Sequence, residues 1–389
     1  MESDPANGQR TTDNGQRIPA RVAIIHDWLT GMRGGEKVLE AVCALYPDAT
    51  LYTLLQVAGT ISPRIARHAI RTSPVQWIPG APRWYRQLLP VFPSTVELFD
   101  LDGYDLIISS SHCAVKSVIR PGRALHICYC HSPMRYAWDQ FAAYFGPDLV
   151  GPLRSRLMRH FMAGLARWDR DTAGRVDRFL ANSQYVAGRI HRYYNRGSIV
   201  VYPPVDTDFY RPAEPGRPPG RGLLVVSGLV PYKRVDIAID ACRLAGLPLT
   251  IVGRGPEEAR LRQSAGPEVE FLGWRSDEEV RDLYRGAAAV LLPGIEDFGM
   301  VPVEAQACGT PVVALGRGGA CETVVDGVTG ILVERESAEA FAAGLARVRA
   351  MRRDPAELRR HAERFSRDRF MTDFQAAVAG ILTQRGPAR

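Results

Sequence analysis

Pro293-Gly-Ile-Glu-Asp-Phe-Gly-Met-Val-Pro-Val-Glu304 is the stretch that decides the fold of this chain of 389 residues. An apolar run, residues 287–292, precedes it, and Gly309-Thr-Pro311 ends the segment that follows. This order predicts a strand, a loop and a helix, with Glu296 on the loop at the carboxyl end of the strand and Glu304 on the helix. In open α/β sheets, ligands bind at such carboxyl ends, so the two acids are candidate ligand contacts.

Short apolar segments alternate with helical periodicity through most of the chain, which predicts parallel sheets covered by helices on both faces. The predicted strands are residues 21–26, 105–109, 125–129, 177–182, 223–227, 249–252, 269–272, 288–292 and 312–315. The predicted helices are residues 36–45, 183–193, 234–245, 277–286, 302–308 and 338–350, with a further helix from Glu257 and helical periodicity over 355–382. We therefore expect an α/β protein of two doubly wound, Rossmann-like domains that face each other across a cleft.

Composition suggests where the domains begin and end. Residues 1–20 are polar and predict a disordered leader, and residues 212–222, near the expected junction, are rich in Pro, Gly and Arg. We expect an N-terminal domain over residues 21–203, a C-terminal domain over 204–365, and a last helix over 366–389 that crosses back to the N-terminal domain.

Positive charge is concentrated in the first half of the chain. Residues 1–200 carry 24 Lys and Arg against 16 Asp and Glu, whereas residues 201–389 carry 25 against 26. Together with the Arg-rich stretches 82–89 and 153–168, this excess indicates docking on an anionic membrane surface. A general preference for Arg explains the same excess, because only three of the 49 basic residues are Lys. No recognition motif accompanies the charge, so nucleic-acid binding is not expected.

Neither secretion nor membrane spanning is predicted. Residues 1–20 lack the apolar segment of a signal peptide, and no apolar run approaches the roughly 18 residues that a membrane helix needs. The seven cysteines are scattered, mostly among apolar residues, and Cys128 and Cys130 lack the companions of a zinc site. We expect buried, reduced thiols in a cytoplasmic protein and no bound metal.

The residues around the opening stretch predict an anion site in the second domain. Gly299 permits a close backbone approach and Pro302 fits the first turn of a helix, whose N-terminal N–H groups attract phosphate. The candidate binding residues at this helix start are Phe298, Gly299, Met300 and Val301. Lys233 follows a predicted strand across a short loop and can reach the same phosphate as a point charge. Glu296 and Glu304 can accept hydrogen bonds from sugar hydroxyls.

In the first domain, Gly34 and Gly35 open a helix soon after the first predicted strand, again an arrangement that favours an anion. Neither the P-loop pattern nor the G-x-G-x-x-G dinucleotide pattern is present in the chain. His131 lies just past a predicted strand, where it can orient a sugar hydroxyl. His26 and His112 lie at similar strand ends in weaker contexts, and either can equally be a buried, satisfied imidazole.

Five segments together resemble one family of enzymes. They are Gly228-Leu-Val-Pro-Tyr-Lys-Arg-Val-Asp236, the stretch from Glu296 to Val313, His131-Ser-Pro-Met-Arg-Tyr-Ala-Trp-Asp139, Asn182-Ser-Gln-Tyr-Val186 and Tyr202-Pro-Pro-Val-Asp206. The first two resemble motifs of the retaining GT-B glycosyltransferases of family GT4. The other three resemble the branch that contains bacterial O-antigen and exopolysaccharide mannosyltransferases. The similarity covers most of the chain, from about Val22 to Phe374.

The resemblance implies a role for each candidate residue. Glu296 would hold the donor sugar near its 3- and 4-hydroxyls, Glu304 would hold the ribose, and Lys233 would neutralise the diphosphate. His131 would contact the donor sugar. The loop at Gly34-Gly35 would lie beside the phosphates and the acceptor.

The resemblance also implies an activity, with one departure from the family pattern. A hexose, most readily mannose from GDP-mannose, would pass with retention of configuration to a polyprenyl-diphosphate-linked saccharide or another growing glycan at the inner face of the cell membrane. No metal or cofactor is implied. Many relatives carry an Arg five residues before the Lys, where this chain has Gly228, so Arg234 or Arg254 would have to supply the second cation. A GT-B sugar-nucleotide 2-epimerase and a catalytically weak sugar-nucleotide-binding subunit are the alternatives, and Gly228 favours the latter.

Overall fold

The computed structural model describes residues 10–11, 17–18, 21–213, 220 and 222–384. The chain divides into two compact units, the first made of residues 1–204 with 370–389 and the second of residues 205–369. Most of the predicted leader lies outside the described residues. The two short strands described there, β1 (Arg10–Thr11) and β2 (Arg17–Ile18), pair antiparallel.

The first unit is built on a parallel sheet of seven strands in the order β5-β4-β3-β6-β7-β8-β9. These strands are β3 (Val22–His26), β4 (Thr50–Thr53), β5 (Ile70–Thr72), β6 (Leu106–Ser111), β7 (Leu125–Cys130), β8 (Arg178–Ala181) and β9 (Ser198–Val200). Ile24 and Ile25 are both fully buried and belong to cores on opposite faces of the sheet, because successive side chains of a strand alternate. The strand order reverses between β3 and β6, which makes their carboxyl ends the expected ligand position.

Nine helices and four 3-10 helices of the first unit connect these strands within the described residues. The helices are α1 (Gly34–Leu45), α2 (Pro63–Ala66), α3 (Ala81–Trp84), α4 (Phe92–Val96), α5 (Arg135–Trp138), α6 (Phe141–Phe145), α7 (Pro147–Val150), α8 (Pro152–Asp171) and α9 (Gln184–Tyr194). The 3-10 helices are Pro74–Trp77, Tyr85–Val91, Val115–Ser117 and Thr172–Arg175.

The second unit is built on a parallel sheet of six strands in the order β12-β11-β10-β13-β14-β15. These strands are β10 (Leu223–Val226), β11 (Leu249–Val252), β12 (Val269–Gly273), β13 (Ala289–Leu292), β14 (Val312–Leu315) and β15 (Gly330–Val333). Its helices are α10 (Val235–Ala245), α11 (Glu258–Ser264), α12 (Asp277–Gly286), α13 (Met300–Ala307), α14 (Ala320–Thr323), α15 (Ala338–Ala350) and α16 (Pro355–Glu363), with a 3-10 helix at Pro231–Lys233. The strand order reverses between β10 and β13.

The last helix, α17 (Arg367–Gln384), contributes to the core of the first unit. Its buried residues Phe370 and Phe374 lie against Tyr129 of β7, with ring centroids 5.9 Å and 6.3 Å apart. The apolar face of this helix is therefore covered by the sheet of the unit that begins the chain.

The α/β class with doubly wound parallel sheets is as the sequence predicts, and the differences are local. The strands β4, β5, β9 and β15 were not predicted, because three or four residues are too few to show a period. Helix α13 begins at Met300, so Pro302 is its third residue and not its first. Cys321 is exposed, while the other six cysteines are buried and all seven are free. Among the described helices, none combines the length and the apolar character needed to cross a bilayer.

Candidate functional site

The loops at the carboxyl edge of the second sheet touch one another through glycines. A Cβ atom at Gly294 would collide with the backbone of Tyr232 and Lys233, and one at Gly318 would collide with the carbonyl oxygen of Glu296. The two loops that follow β10 and β13 therefore approach closely, at the point where the strand order reverses. Since these contacts are between backbones, the positions of Lys233 and Glu296 are set by the loops themselves.

Lys233 and Glu296 form an ion pair at this edge. Their side chains are 16% and 14% exposed, so the pair is largely buried and still reaches solvent. The Lys233 ammonium also lies 5.2 Å from the centroid of the Tyr232 ring. The arrangement sets a compact positive charge beside two carboxylate oxygens that can accept hydrogen bonds from hydroxyl groups.

The helix α13 begins directly beside this pair. Gly299, which precedes its first residue, has a φ of 86°, a conformation that favours glycine. A Cβ atom there would lie 3.4 Å from Cβ of Glu296. The first N–H groups of the helix, those of Met300 and Val301 among them, have no carbonyl of the preceding turn to bond and favour an anion. Phe298 is 3% exposed and packs on another ring, so only its backbone is suited to ligand binding.

Glu304 lies one turn further along α13 and is 7% exposed. The hydroxyl of Tyr284, on α12, donates a hydrogen bond to Glu304 Oε2 at 3.0 Å. Burial, together with the neighbouring Glu304 carboxylate, raises the pKa of Tyr284 well above its usual value, so the phenol keeps its proton. No local pattern in the sequence marks Tyr284 as the residue that holds Glu304 in place.

The two arginines that could replace the cation absent at Gly228 differ in their surroundings. Arg234 forms ion pairs with Asp236, at 3.0 Å, and with Glu336, and these partners raise its pKa. Arg254 is exposed and has no ion pair with any residue that the structure describes. A side chain at Gly228 would enter open space. Of the two arginines, Arg234 thus has two acidic partners, and Arg254 has no ion pair within the described residues.

The carboxyl edge of the first sheet carries a cluster of three histidines. Ser110 Oγ lies 3.0 Å from His26 Nδ1 and 2.8 Å from His131 Nε2, so one hydroxyl joins two of them. His112 Nδ1 lies 3.2 Å from Oδ2 of Asp27. Burial is the main reason that the pKa values of His26 and His112 fall to about 3. Both imidazoles are thus neutral at physiological pH.

Asp27 organises the loop that follows β6. This fully buried carboxylate accepts hydrogen bonds from four successive backbone N–H groups. The donors are His112 at 2.7 Å, Cys113 at 2.9 Å, Ala114 at 2.7 Å and Val115 at 3.1 Å. This role is not predicted from the sequence: the position of Asp27 directly after a strand is a signal for a candidate residue, but it does not show the partners of the carboxylate.

Of the two glycines predicted in the first domain, Gly35 lies against the histidine cluster. A Cβ atom at Gly35 would lie 3.6 Å from Cε1 of His26 and 3.9 Å from Cε1 of His131. Helix α1 begins at Gly34, so Gly35, in the first turn of a 12-residue helix, lies beside two of the imidazoles. Among the described residues, no group of three or more His, Cys, Asp or Glu side chains is arranged to hold a metal ion.

Two family models match consecutive parts of the chain. The model described as Glycosyltransferase Family 4 matches residues 48–209, and the model described as Glycosyl transferases group 1 matches residues 206–368. A D-inositol 3-phosphate glycosyltransferase from Mycolicibacterium smegmatis is 35% identical over 219 residues, which are 49% of this chain and 50% of that protein. One from Rhodococcus erythropolis is 33% identical over 249 residues, 54% of this chain and 56% of that protein. The chain spans about half the length of the curated relatives it matches.

Solved structures resemble most of the chain. Anabaena Alr3699/HepE, in complex with UDP and glucose, superimposes with a TM-score of 0.69 at 22% identity and covers 92% of this chain and 99% of its own. The lipopolysaccharide outer core galactosyltransferase WaaB, in its apo form, gives a TM-score of 0.62 at 18% identity, with 92% and 99% covered. At these identities the likeness concerns the fold, in which two doubly wound units follow one another.

Proposed function

The chain belongs to the GT4 family of GT-B glycosyltransferases, and from that premise we propose that it transfers a hexose from a nucleotide sugar to an acceptor hydroxyl, with retention of configuration. The observation that supports this most is the ion pair of Lys233 and Glu296 beside the start of α13. A cation, a helix N-terminus and a hydroxyl-binding carboxylate lie together at the carboxyl edge of one sheet. These are the groups that a sugar diphosphate requires.

In the proposed reaction, the bond between the anomeric carbon and the diphosphate oxygen breaks, and the acceptor oxygen bonds to the same carbon. The acceptor proton passes to the departing phosphate. Lys233 and the N–H groups at Gly299, Met300 and Val301 stabilise the charge that develops on the diphosphate, with Arg254 as the second cation. Glu296 orients the sugar through its hydroxyls. Glu304, held by its phenol partner, accepts from the ribose.

In the first unit, we propose that His131 contacts the donor sugar and that the helix start at Gly34 and Gly35 lies beside the donor phosphates and the acceptor. The hydrogen bond between Ser110 Oγ and His131 Nε2 orients the His131 imidazole, which sets the direction in which the ring can contact a ligand. Arg234, with two acidic partners, has a supporting role at most in donor binding.

The identities of the donor and acceptor are proposed from fewer sequence motifs than the reaction itself. We propose GDP-mannose and a polyprenyl-diphosphate-linked or growing saccharide of a cell-surface polysaccharide, on the motifs that follow β7 and β8. UDP sugars are the competing donor class, since structural neighbours were solved with UDP and with UDP-glucose. The curated relatives are named for a phosphorylated acceptor, inositol 3-phosphate. A thermal-shift screen of GDP, UDP and dTDP sugars discriminates the donors, because a bound ligand raises the unfolding temperature.

We propose that α8 docks on an anionic membrane. One face of this helix is buried in the first unit, while Leu153 and Leu157 on the opposite side are 81% and 63% exposed. Arg154, Arg156 and Arg159, all exposed, surround them. Apolar side chains amid arginines suit the interface of an anionic bilayer. Co-sedimentation with phosphatidylcholine vesicles should increase when phosphatidylglycerol is added, and an unchanged bound fraction would count against docking.

The proposed reaction is tested by donor turnover in variants of the ion pair. Lys233→Met and Glu296→Gln should each lower kcat/KM by about 10²–10³-fold, because each loses a group aimed at the transition state. Asp326→Asn is a matched control, since it breaks an exposed pair with Arg347 elsewhere in the same unit. Turnover near that of the unaltered protein in both site variants would refute the mechanism. NMR of donor with protein alone gives an epimer if the protein is instead a 2-epimerase.

A further inference from the structure

Arg234 has a backbone conformation that residues with a side chain rarely adopt. Its φ is 49° and its ψ is 42°, in the left-handed region, at the point where the 3-10 helix Pro231–Lys233 ends and α10 begins. Among the described residues other than glycine, Asn195 alone shares a positive φ, at the end of α9. Asparagine is enriched in this region, whereas for arginine the Cβ atom comes close to a carbonyl oxygen. The conformation of Arg234 therefore costs free energy that other contacts must offset.

Two acidic side chains bind the Arg234 guanidinium. Its Nε lies 3.1 Å from Oδ1 of Asp236 and one terminal nitrogen lies 3.0 Å from Oδ2, so two donors engage both carboxylate oxygens. The other terminal nitrogen donates to Glu336, which lies between β15 and α15. Asp236 is in the first turn of α10. Arginine can bridge two carboxylates in this way, whereas glycine or asparagine, which would fit the backbone with less strain, cannot.

The backbone of Arg234 continues directly from that of Lys233. The Lys233 N–H donates to the Val230 carbonyl at 3.1 Å, and the Arg234 carbonyl accepts the N–H of Ile237 at 3.0 Å. A Cβ atom at Gly294 would lie only 2.7 Å from Cα of Lys233, so the loop after β13 lies directly against this segment. The position of the Lys233 backbone therefore depends on that loop and on the conformation of Arg234.

We propose that Arg234 is a positioning residue of the donor site, a proposal that rests on the glycosyl transfer proposed above. Its ion pairs with Asp236 and Glu336 stabilise the left-handed backbone, and that backbone sets the point from which the Lys233 ammonium reaches the diphosphate. Arg234 thus acts through Lys233 and does not itself contact the donor. The side chain links the loop after β10 to the segment before α15, a link that a glycine at this position would not make.

The charges of the two acidic partners separate this role from direct binding of the diphosphate. If the Arg234 guanidinium itself bound the diphosphate, removing a competing carboxylate would release the guanidinium and strengthen the binding of an anion. If Arg234 positions Lys233, the same change loosens the loop and weakens the binding. The two roles therefore predict opposite signs for one and the same substitution.

Calorimetry of the full chain with GDP and UDP measures this sign. Glu336→Gln and Asp236→Asn should each weaken binding about threefold or more, although each removes a negative charge from the surroundings of an anion. Asp240→Asn is the matched control, because it makes the same change of charge at an exposed pair with Arg243 on the same helix, and it should leave the affinity unchanged. Stronger or unchanged binding in both Glu336→Gln and Asp236→Asn would overturn the proposal.

A double-mutant cycle tests whether Arg234 acts through Lys233. Arg234→Gly permits the left-handed backbone and removes both ion pairs, and it should lower kcat/KM for the donor about tenfold. In the Lys233→Met background the same substitution should have no further effect, because the group that it positions is gone. Asn195→Gly, the same kind of change at the other left-handed residue, should leave kcat/KM unchanged. Equal losses from Arg234→Gly in the two backgrounds would show that Arg234 does not act through Lys233.

Amide hydrogen exchange separates this proposal from the reaction itself. Glu336→Gln leaves the sequence of residues 230–237 intact and should accelerate exchange in that segment about threefold or more, because the loop opens more readily, whereas Asp240→Asn should not. If exchange accelerates and the unaltered protein turns over no donor, the role of Arg234 in fixing the loop stands and the proposed reaction fails. If donor is turned over and exchange in Glu336→Gln is unchanged, the positioning role is refuted and the reaction stands.

Discussion

Two lysines of this chain pair with a carboxylate in contrasting surroundings. In the first unit, Lys116 is 1% exposed, and its ammonium lies 3.0 Å from Oδ1 of the fully buried Asp169. Asp169 also accepts hydrogen bonds from a tryptophan indole at 2.7 Å and a tyrosine hydroxyl at 2.8 Å. In the second unit, the side chains of Lys233 and Glu296 are 16% and 14% exposed, on loops at the edge of a sheet.

The comparison indicates that the role of a lysine–carboxylate pair depends on its access to solvent. The first pair is buried and has protein hydrogen-bond partners from neighbouring helices, so its role is structural. The second pair reaches solvent, and in the proposed reaction each partner exchanges its contact for a phosphate or a hydroxyl of the donor. Two of the three lysines in a chain that otherwise uses arginine thus mark a core and a candidate site.

Removing the enclosed lysine should have the largest effect on stability. Lys116→Met leaves the Asp169 carboxylate buried without its cation, which should cost about 3–5 kcal/mol in the free energy of unfolding. Urea unfolding followed by tryptophan fluorescence measures the loss. Arg347→Met, which breaks the exposed pair with Asp326, is the control and should cost no more than about 1 kcal/mol. Equal losses in the two variants would contradict the difference between the buried pair and an exposed one.

Acid should destabilise the first unit more than the second. Burial lowers the pKa values of His26 and His112 to about 3 and of His126 to about 4, whereas unfolded histidines titrate near 6.5. As pH falls below about 6.5, the unfolded chain therefore takes up protons before the folded chain does, and stability is lost. We expect on the order of 1 kcal/mol per histidine for each pH unit down to about 4. The second unit contributes one histidine, His361, also with a pKa lowered to about 4 by burial.

Urea midpoints at pH 7 and pH 5 measure this effect. Five of the six tryptophans, all but Trp274, lie in the first unit, so fluorescence reports mainly on that unit. His126→Gln should reduce the difference between the two midpoints. Midpoints that are the same at both pH values would show that the imidazoles do not titrate as described.

A smaller effect is expected where an enclosed group supports the open site. Tyr284→Phe removes a hydrogen-bond donor to Glu304 from a buried position, which should cost about 1–3 kcal/mol of stability. Because Glu304 then loses its orientation, affinity for the nucleotide part of the donor should fall as well. Calorimetry with GDP and UDP measures that affinity. Tyr210→Phe is a control variant. The Tyr210 ring packs on Tyr284, and this substitution leaves the hydrogen bond between Tyr284 and Glu304 in place.

The smallest effect on stability is expected at the open pair. Lys233→Met should change the free energy of unfolding by about 1 kcal/mol, because the partly buried Glu296 carboxylate that it leaves behind still reaches solvent, although the same variant should lose most donor turnover. Chemical denaturation of Lys233→Met and Lys116→Met under the same conditions compares the free energies of unfolding that the two lysines contribute. If Lys233→Met unfolds as readily as Lys116→Met, the second pair also belongs to the structural core.

Much of the fold and part of the candidate site could be predicted because they depend on neighbouring residues. The strand, loop and helix around Glu296 and Glu304 are contained in one stretch with Gly299 and Pro302 in it. The contacts of Asp27 with the loop after β6 join residues more than 80 positions apart, and no local pattern shows them. The hydrogen bond from Tyr284 to Glu304 could not be predicted for the same reason, since Tyr284 lies in an amphipathic helix with no local sign of its partner.

The packing of α17, the last helix of the chain, in the core of the first unit has a consequence for biosynthesis. The first unit needs Phe370 and Phe374 to cover Tyr129, yet these side chains leave the ribosome only after the whole second unit has been made. During synthesis an apolar face of the N-terminal unit therefore remains uncovered until α17 has been made. The second unit is continuous in sequence and can fold as soon as it has been synthesised. A fragment that stops at Pro204 should aggregate, and one that spans residues 205–369 is the better choice for expression alone.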